Sequence, residues 1–215
     1  MTARSGGPRG SSLAARTAPP HRVRIIGGRW KRTPIEVIDA PGLRPTPDRV
    51  RETLFNWLGQ RLDDLCCLDL FAGSGALGLE AASRGAGRVT LVERRSEPCR
   101  LIEGLCKRLD AEAVEVLEMD ALRALDRFRR EGRRFDLVFL DPPFGERWID
   151  RLWSALTGVL APVARVYVEA ETALAVLPAG FALERSARAG QVHYHLLSWQ
   201  APSAEAGGSI PLENR

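Results

Sequence analysis

The chain has 215 residues, 45% hydrophobic and 27% charged, with four cysteines, three histidines and a net charge of +4. That composition excludes a disordered or fibrous protein, and no apolar run approaches the ~18 residues a membrane span needs. Cys66 and Cys67 adjoin in an apolar run and no C-x-x-C pair occurs, so no disulfide framework or structural metal is expected. The expectation is a soluble, cytoplasmic, monomeric protein in a reducing compartment.

Residues 1–21 begin MTARSGGPRG, with no apolar period and no acid, and are expected to be a disordered basic arm. An organelle transit peptide is disfavoured by its glycines and prolines, and a secretory signal by the lack of an apolar core. Residues 22–61 form a basic extension. RVRIIGGRWKRTPIEVI (22–38) holds two short β-type runs around Gly27-Gly28, with arginines alternating against Ile and Val, which predicts a hairpin with one basic face. After a turn-rich link from Pro41 to Pro47, DRVRETLFNWLGQRL predicts a helix with Val50, Leu54, Trp57 and Leu58 at helical spacing and Gly59 near its end. Residues 1–61 hold twelve basic and four acidic side chains, whereas the remainder is net acidic. A basic third on an acidic body is the footprint of a polyanion-binding protein.

From residue 65 strands and helices alternate. LCCLDLF (65–71), RVTLVE (88–93), AVEVLEM (113–119), FDLVFLD (135–141) and ARVYVEA (164–170) are strand-like, with helical patterns near 76–84, 96–109, 121–130 and 147–157. Apolar strands separated by such helices predict an α/β fold with a mostly parallel, doubly covered sheet over residues 62–200. FALERSAR (181–188) and QVHYHLLSW (191–199) are separated only by Ala189-Gly190, which predicts an antiparallel C-terminal hairpin near a sheet edge. Residues 201–215 are expected to be a flexible tail.

The first of these strands runs into Asp69-Leu70-Phe71-Ala72-Gly73-Ser74-Gly75-Ala76-Leu77-Gly78. Gly73-x-Gly75-x-x-Gly78 between strand and helix permits a tight turn that a ligand approaches closely, and Glu93 ends the next strand where a carboxylate accepts ribose hydroxyls. Glycines alone also fit a dinucleotide-binding oxidoreductase. Asp69 and the string DLFAGSGALGLEA resemble motif I of the class I S-adenosylmethionine-dependent methyltransferases, a Rossmann-like fold. That resemblance assigns Asp69, Phe71, Ala72, Gly73, Ser74, Gly75, Glu93, Asp120 and Ala121 to the cofactor. Asp120 fits a helix N-cap equally well.

Asp141-Pro142-Pro143-Phe144 follows an apolar strand, at the end of the sheet where ligands gather. Two prolines hold the backbone extended, so the Asp141 carboxylate and Pro142 carbonyl present acceptors at a fixed spot, while Phe144 offers a ring for a flipped base. Such acceptors grip the N–H groups of an exocyclic amine and aim its lone pair at a methyl donor. Cys99 and Cys106 lie in a helical segment away from any Pro-Cys loop, which argues against cytosine-carbon methylation.

RIIGGRWKR (24–32), GLRPTPDRVRETLFNWL (42–58) and DLFAGSGALGLEAASRGA (69–86), in this order and with D-P-P-F, resemble the bacterial 16S ribosomal RNA (guanine-N2)-methyltransferase family over about residues 22–200. The resemblance implies methyl transfer from S-adenosylmethionine to guanine N2 in small-subunit RNA, on naked RNA or on a partly or fully assembled subunit. It places Arg24, Arg29, Trp30 and Arg44 in an RNA-facing extension, and Thr46, Arg49, Arg51 and Glu52 against the cofactor and target pocket. A DNA or other RNA amino-methyltransferase, an NAD-dependent oxidoreductase and a non-catalytic RNA-binding factor are the alternatives. An arginine-rich loop, DRFRREGRR (126–134), leaves the RNA footprint open.

Overall fold

The computed structural model describes residues 22–38, 48–143, 145 and 148–202. The arm (1–21), the link (39–47), most of the tail (203–215) and the site residues Arg44, Thr46 and Phe144 lie outside the described residues.

A two-stranded antiparallel ribbon, β1 (Arg22–Arg24) and β2 (Pro34–Glu36), precedes helix α1 (Asp48–Leu58). The body then alternates β3 (Cys66–Asp69), α2 (Ala76–Ser83), β4 (Arg88–Glu93), α3 (Ser96–Leu109), β5 (Val114–Glu118), α4 (Ala121–Arg130), β6 (Phe135–Leu140), α5 (Trp148–Thr157) and β7 (Leu160–Ala170), closing with β8 (Phe181–Ala189) and β9 (Val192–Gln200). The seven-stranded sheet has the order β5-β4-β3-β6-β7-β9-β8. Its first five strands are parallel, and β9 inserts antiparallel between β7 and the edge strand β8. The order reverses at β3, so ligands are expected in the crevice beyond the carboxyl ends of β3 and β6.

Successive residues of the central strands feed opposite cores. Cys67, Phe139, Tyr167 and Leu196 join the core shared with the ribbon, α1, α2 and α3, whereas Leu68, Val138, Leu140, Val166 and Leu197 face α4 and α5. This two-sided burial explains why β4 and β6 read as continuous apolar runs. The basic extension shares the first core: Val23, Ile25, Ile35, Val37, Leu54 and Phe55 are all buried in it. A fully buried aliphatic or aromatic side chain contributes ~1.5–3 kcal/mol, so these six hold the extension firmly on the body.

The ribbon reverses through residues 26–32, with Gly27-Gly28 in the first half of the turn: Ile25 donates to Thr33 O and Arg32 to Ile25 O. The two glycines also allow a close approach to α2, since a Cβ on Gly28 would collide with the Ser83 backbone and one on Gly27 with the Arg84 guanidinium. The strand β7 also starts earlier than its apolar pattern indicates, because Leu160 pairs with Phe135 across a register shift.

Candidate active site

Gly73 (φ +52°) and Gly75 (φ +79°) carry the chain from β3 into α2 through left-handed conformations. A Cβ on Gly73 would meet nothing nearer than 4.0 Å, so this glycine leaves open space beside the loop. Gly78 serves packing instead, since a Cβ there would run into Leu91 of β4. Asp69 ends β3, is 2% exposed, and accepts the Gly78 N–H at 3.0 Å. Burial pushes its carboxyl up to about 7, and the neighbouring Asp141 and Glu93 add to this against the N–H groups of Gly78 and Phe71.

Glu93, at the end of β4, ties the loop from behind. Its Oε2 accepts Gly73 N–H at 3.0 Å, and its Oε1 accepts both the backbone and guanidinium N–H of Arg95 at 3.0 Å. A carboxylate oxygen has further lone pairs, so these contacts leave acceptor capacity for a ribose. Asp120 caps α4, its Oδ1 accepting from Leu122 N at 3.0 Å and Arg123 N at 3.2 Å. Ala121 is buried in the second core.

One pocket brings together Asp69, Phe71, Ala72, Gly73, Ser74 and Asp141. Gly75, Glu93, Asp120 and Ala121 do not line it; they shape its loop or lie behind it. Asp141 follows β6 as the chain leaves the sheet, with Pro142 buried and Pro143 exposed beside it. The other walls come from Glu36 and the apolar Ile35, Val37 and Ile38 of the ribbon, and from Arg95, Pro98, Leu101, Ile102, Leu105 and Arg108 in and before α3. Sequence reasoning missed these walls. The available signal was the apolar side of the ribbon, which had to be buried against something.

The donor set fits S-adenosylmethionine in kind. Carboxylates face a cation, the glycine loop leaves room at the backbone, and an apolar wall suits a nucleoside. Asp69 and Glu93 are the residues that would hold an ammonium group and a ribose.

The residues assigned to RNA divide. Arg24, Arg29 and Arg49 are exposed, Arg24 reaching Asp48 at 3.4 Å with its side chain 64% exposed. Trp30 is half-buried against the first core, with the Arg29 guanidinium 6.0 Å from its ring centre. Arg51 must be corrected: it is fully buried, donates to Asp48 at 2.6 Å and lies 4.0 Å from Glu80. Its charge is used inside the protein, where a helix-period pattern turns it inward with Leu54 and Phe55. Glu80, which sequence reasoning also missed, is fully buried; it accepts from Ile26 N, Gly27 N and Arg84 Nε at 2.6–2.8 Å.

The family model described as conserved hypothetical protein 95 matches residues 23–198. Ribosomal RNA small subunit methyltransferase D of Escherichia coli is 45% identical over 185 residues, covering 84% of this chain and 91% of that protein. The Haemophilus influenzae protein of the same name is 39% identical over 81% of this chain and 92% of its own. A solved structure of Escherichia coli yhhF superposes with a TM-score of 0.75 at 41% identity, covering 85% of this chain and all of the other. With its family model, near-full-length relatives and doubly wound sheet in agreement, the chain belongs to the bacterial small-subunit ribosomal RNA methyltransferase family that its motifs resemble.

Proposed function

We propose that the protein transfers a methyl group from S-adenosylmethionine to the exocyclic N2 amine of a guanine in 16S ribosomal RNA, acting as a cytoplasmic monomer on a partly or fully assembled small subunit. The observation that carries this reading is the pocket in which Asp69 and Asp141, from adjacent strands β3 and β6, flank the glycine loop. When bound there, the cofactor supplies an electrophilic methyl group on a positively charged sulfur. Asp69 would hold its amino end, and Glu93, outside the pocket lining at the end of β4, would accept the ribose. Asp120 and Ala121, also outside that lining, would lie toward the adenine.

A guanine N2 amine is a weak nucleophile because its lone pair is delocalised into the ring. The Asp141 carboxylate and the Pro142 carbonyl accept its two N–H groups, favour pyramidal nitrogen and hold the lone pair on the attack line. Pro143 stiffens the turn, and Phe144 stacks on the base. Positioning of this kind can account for most of a displacement's barrier lowering. The amine proton leaves by way of Asp141 or directly to water. Arg24, Arg29, Trp30, Arg44, Thr46 and Arg49 supply the RNA-facing surface that delivers the base.

Asp141→Ala is expected to abolish methyl transfer while changing S-adenosylmethionine affinity, measured by calorimetry, by no more than a few-fold. Nucleoside mass spectrometry of small-subunit particles treated with the wild-type enzyme should show N2-methylguanosine, and particles with that guanine substituted should show none. Tight NAD binding without S-adenosylmethionine binding would end the proposal, as would a methylated adenosine or cytidine product.

A further inference from the structure

The register of the sheet places a second carboxylate beside Asp141. Leu140 of β6 pairs with Val168 of β7, so the next residues, Asp141 just past the end of β6 and Glu169 still within β7, come side by side. Glu169 in turn pairs with Tyr194 of β9. Strands lie ~4.8 Å apart, so Asp141, Glu169 and Tyr194 form one row across three strands, on the face opposite Leu140 and Val168. Trp57 of α1 stacks on Tyr194, with ring centres 5.3 Å apart, and closes the row on its outer side.

Glu169 is 4% exposed and is held in place. The Tyr167 hydroxyl donates to its Oε1 at 2.8 Å, from the position two residues earlier on the same strand face. Burial, with the carboxylates of Glu169 and Asp141, pushes the Tyr167 phenol well above its usual range, so it stays a donor. Glu169 is thus a desolvated, oriented carboxylate in register with Asp141, one strand beyond the methyl-transfer acceptors, and in its ionised form it can only accept.

Resting on the guanine-N2 reading above, we infer that Glu169 is a specificity residue that accepts the guanine N1–H while Asp141 and Pro142 hold the adjacent N2 amine. Guanine is the base that presents N–H donors at both N1 and N2. Adenine and cytosine carry an acceptor lone pair next to their exocyclic amine, so each would set a lone pair against this carboxylate. A site built to accept a substrate N–H rejects analogues lacking it far more strongly than an apolar pocket can, because its acceptor then meets a lone pair instead of a donor.

The test uses a synthetic RNA spanning the guanine located by mass spectrometry, with guanine or 2-aminopurine at that position. 2-Aminopurine keeps the amine at C2 but has a lone pair at N1. The wild-type enzyme is expected to favour guanine by ~10² or more in kcat/KM. Glu169→Gln, whose amide can either donate or accept, is expected to narrow that ratio at least tenfold with S-adenosylmethionine affinity unchanged. Tyr167→Phe, which keeps the packing and removes the hydroxyl's hydrogen bond to the carboxylate, should shift the ratio in the same direction by less. An unchanged ratio in either folded variant, whatever the loss of stability or overall rate, makes Glu169 a structural acid and overturns the inference. A wild-type product other than N2-methylguanosine instead overturns the functional reading on which it rests.

Discussion

Two arginine-rich stretches look alike in the sequence and behave oppositely in the fold. RVRIIGGRWKR leaves Arg24, Arg29, Lys31 and Arg32 exposed on a ribbon whose second strand lines the pocket with Asp141. DRFRREGRR sits where α4 returns to the amino ends of the parallel strands, and its charges are consumed locally. Arg127 pairs with Glu131 at 2.6 Å, Arg129 and Arg130 pair with Asp126 at 2.7 and 3.2 Å, and Arg133 reaches Glu115 at 2.9 Å. The difference lies in acid spacing. Asp126 and Glu131 stand three or four residues from their arginines, one helical turn away, whereas the ribbon's acid among the described residues is Glu36. Counting basic residues finds both stretches; only their geometry separates an open basic face from a neutralised one.

The sharpest way to break the contrast is at the acid that clamps the ribbon. Glu80→Ala removes the acceptor of Ile26 N–H and Gly27 N–H and breaks the buried ion pair with Arg84, while Arg51 keeps its contact with Asp48. Removing one partner of a buried pair costs about 3–5 kcal/mol, and urea unfolding should show a loss of that size. Glu131→Ala at the other end breaks an exposed pair and should leave the unfolding midpoint unmoved. Equal losses would mean that the ribbon is not held through Glu80.

Next in size is the effect on RNA. Neutralising Arg24, Arg29 and Arg49 together should weaken binding and lower the slope of log affinity against log salt by about 0.7–0.9 for each phosphate that is no longer neutralised. Neutralising Arg127, Arg129 and Arg130 should change neither. A slope that responds to the second set and not the first would move the RNA footprint to the far end of the sheet.

Much of this was legible in sequence because strong local signals and tertiary demands agree. The strand RVTLVE and helices 96–109 and 121–130 occupy their expected residues, since the apolar runs and the Asp120 cap point one way. The loop glycines and the D-P-P string gave away the pocket's floor. Its walls and clamps did not show. Nothing local marks Glu80 or Arg51 as buried, because a charged residue reads as surface until its partner, here from another element, is known. Glu169 was hidden similarly: only the β6–β7 register brings it beside Asp141.

Carboxylates repeat the contrast between the two ends, and there the expected effect is smallest and most specific. Asp126 and Glu131 are held below their usual range by bonds from Arg129 and Arg127, so they stay ionised at any working pH. Asp69 is pushed up to about 7, chiefly by burial. Its protonated form favours the folded protein, so that stability is fully present below the unfolded value near 4 and is lost as pH rises through 7. Asp69→Asn should therefore flatten stability against pH between 4 and 7 and leave the cofactor-free protein more stable than wild type above 7. A cationic amino group binds the ionised carboxylate, so wild-type affinity for S-adenosylmethionine should rise up to about tenfold per unit as pH approaches 7 from below, then level off, a dependence that calorimetry should find missing in Asp69→Asn. Affinity that falls over the same interval would mean that Asp69 meets its ligand as a neutral donor.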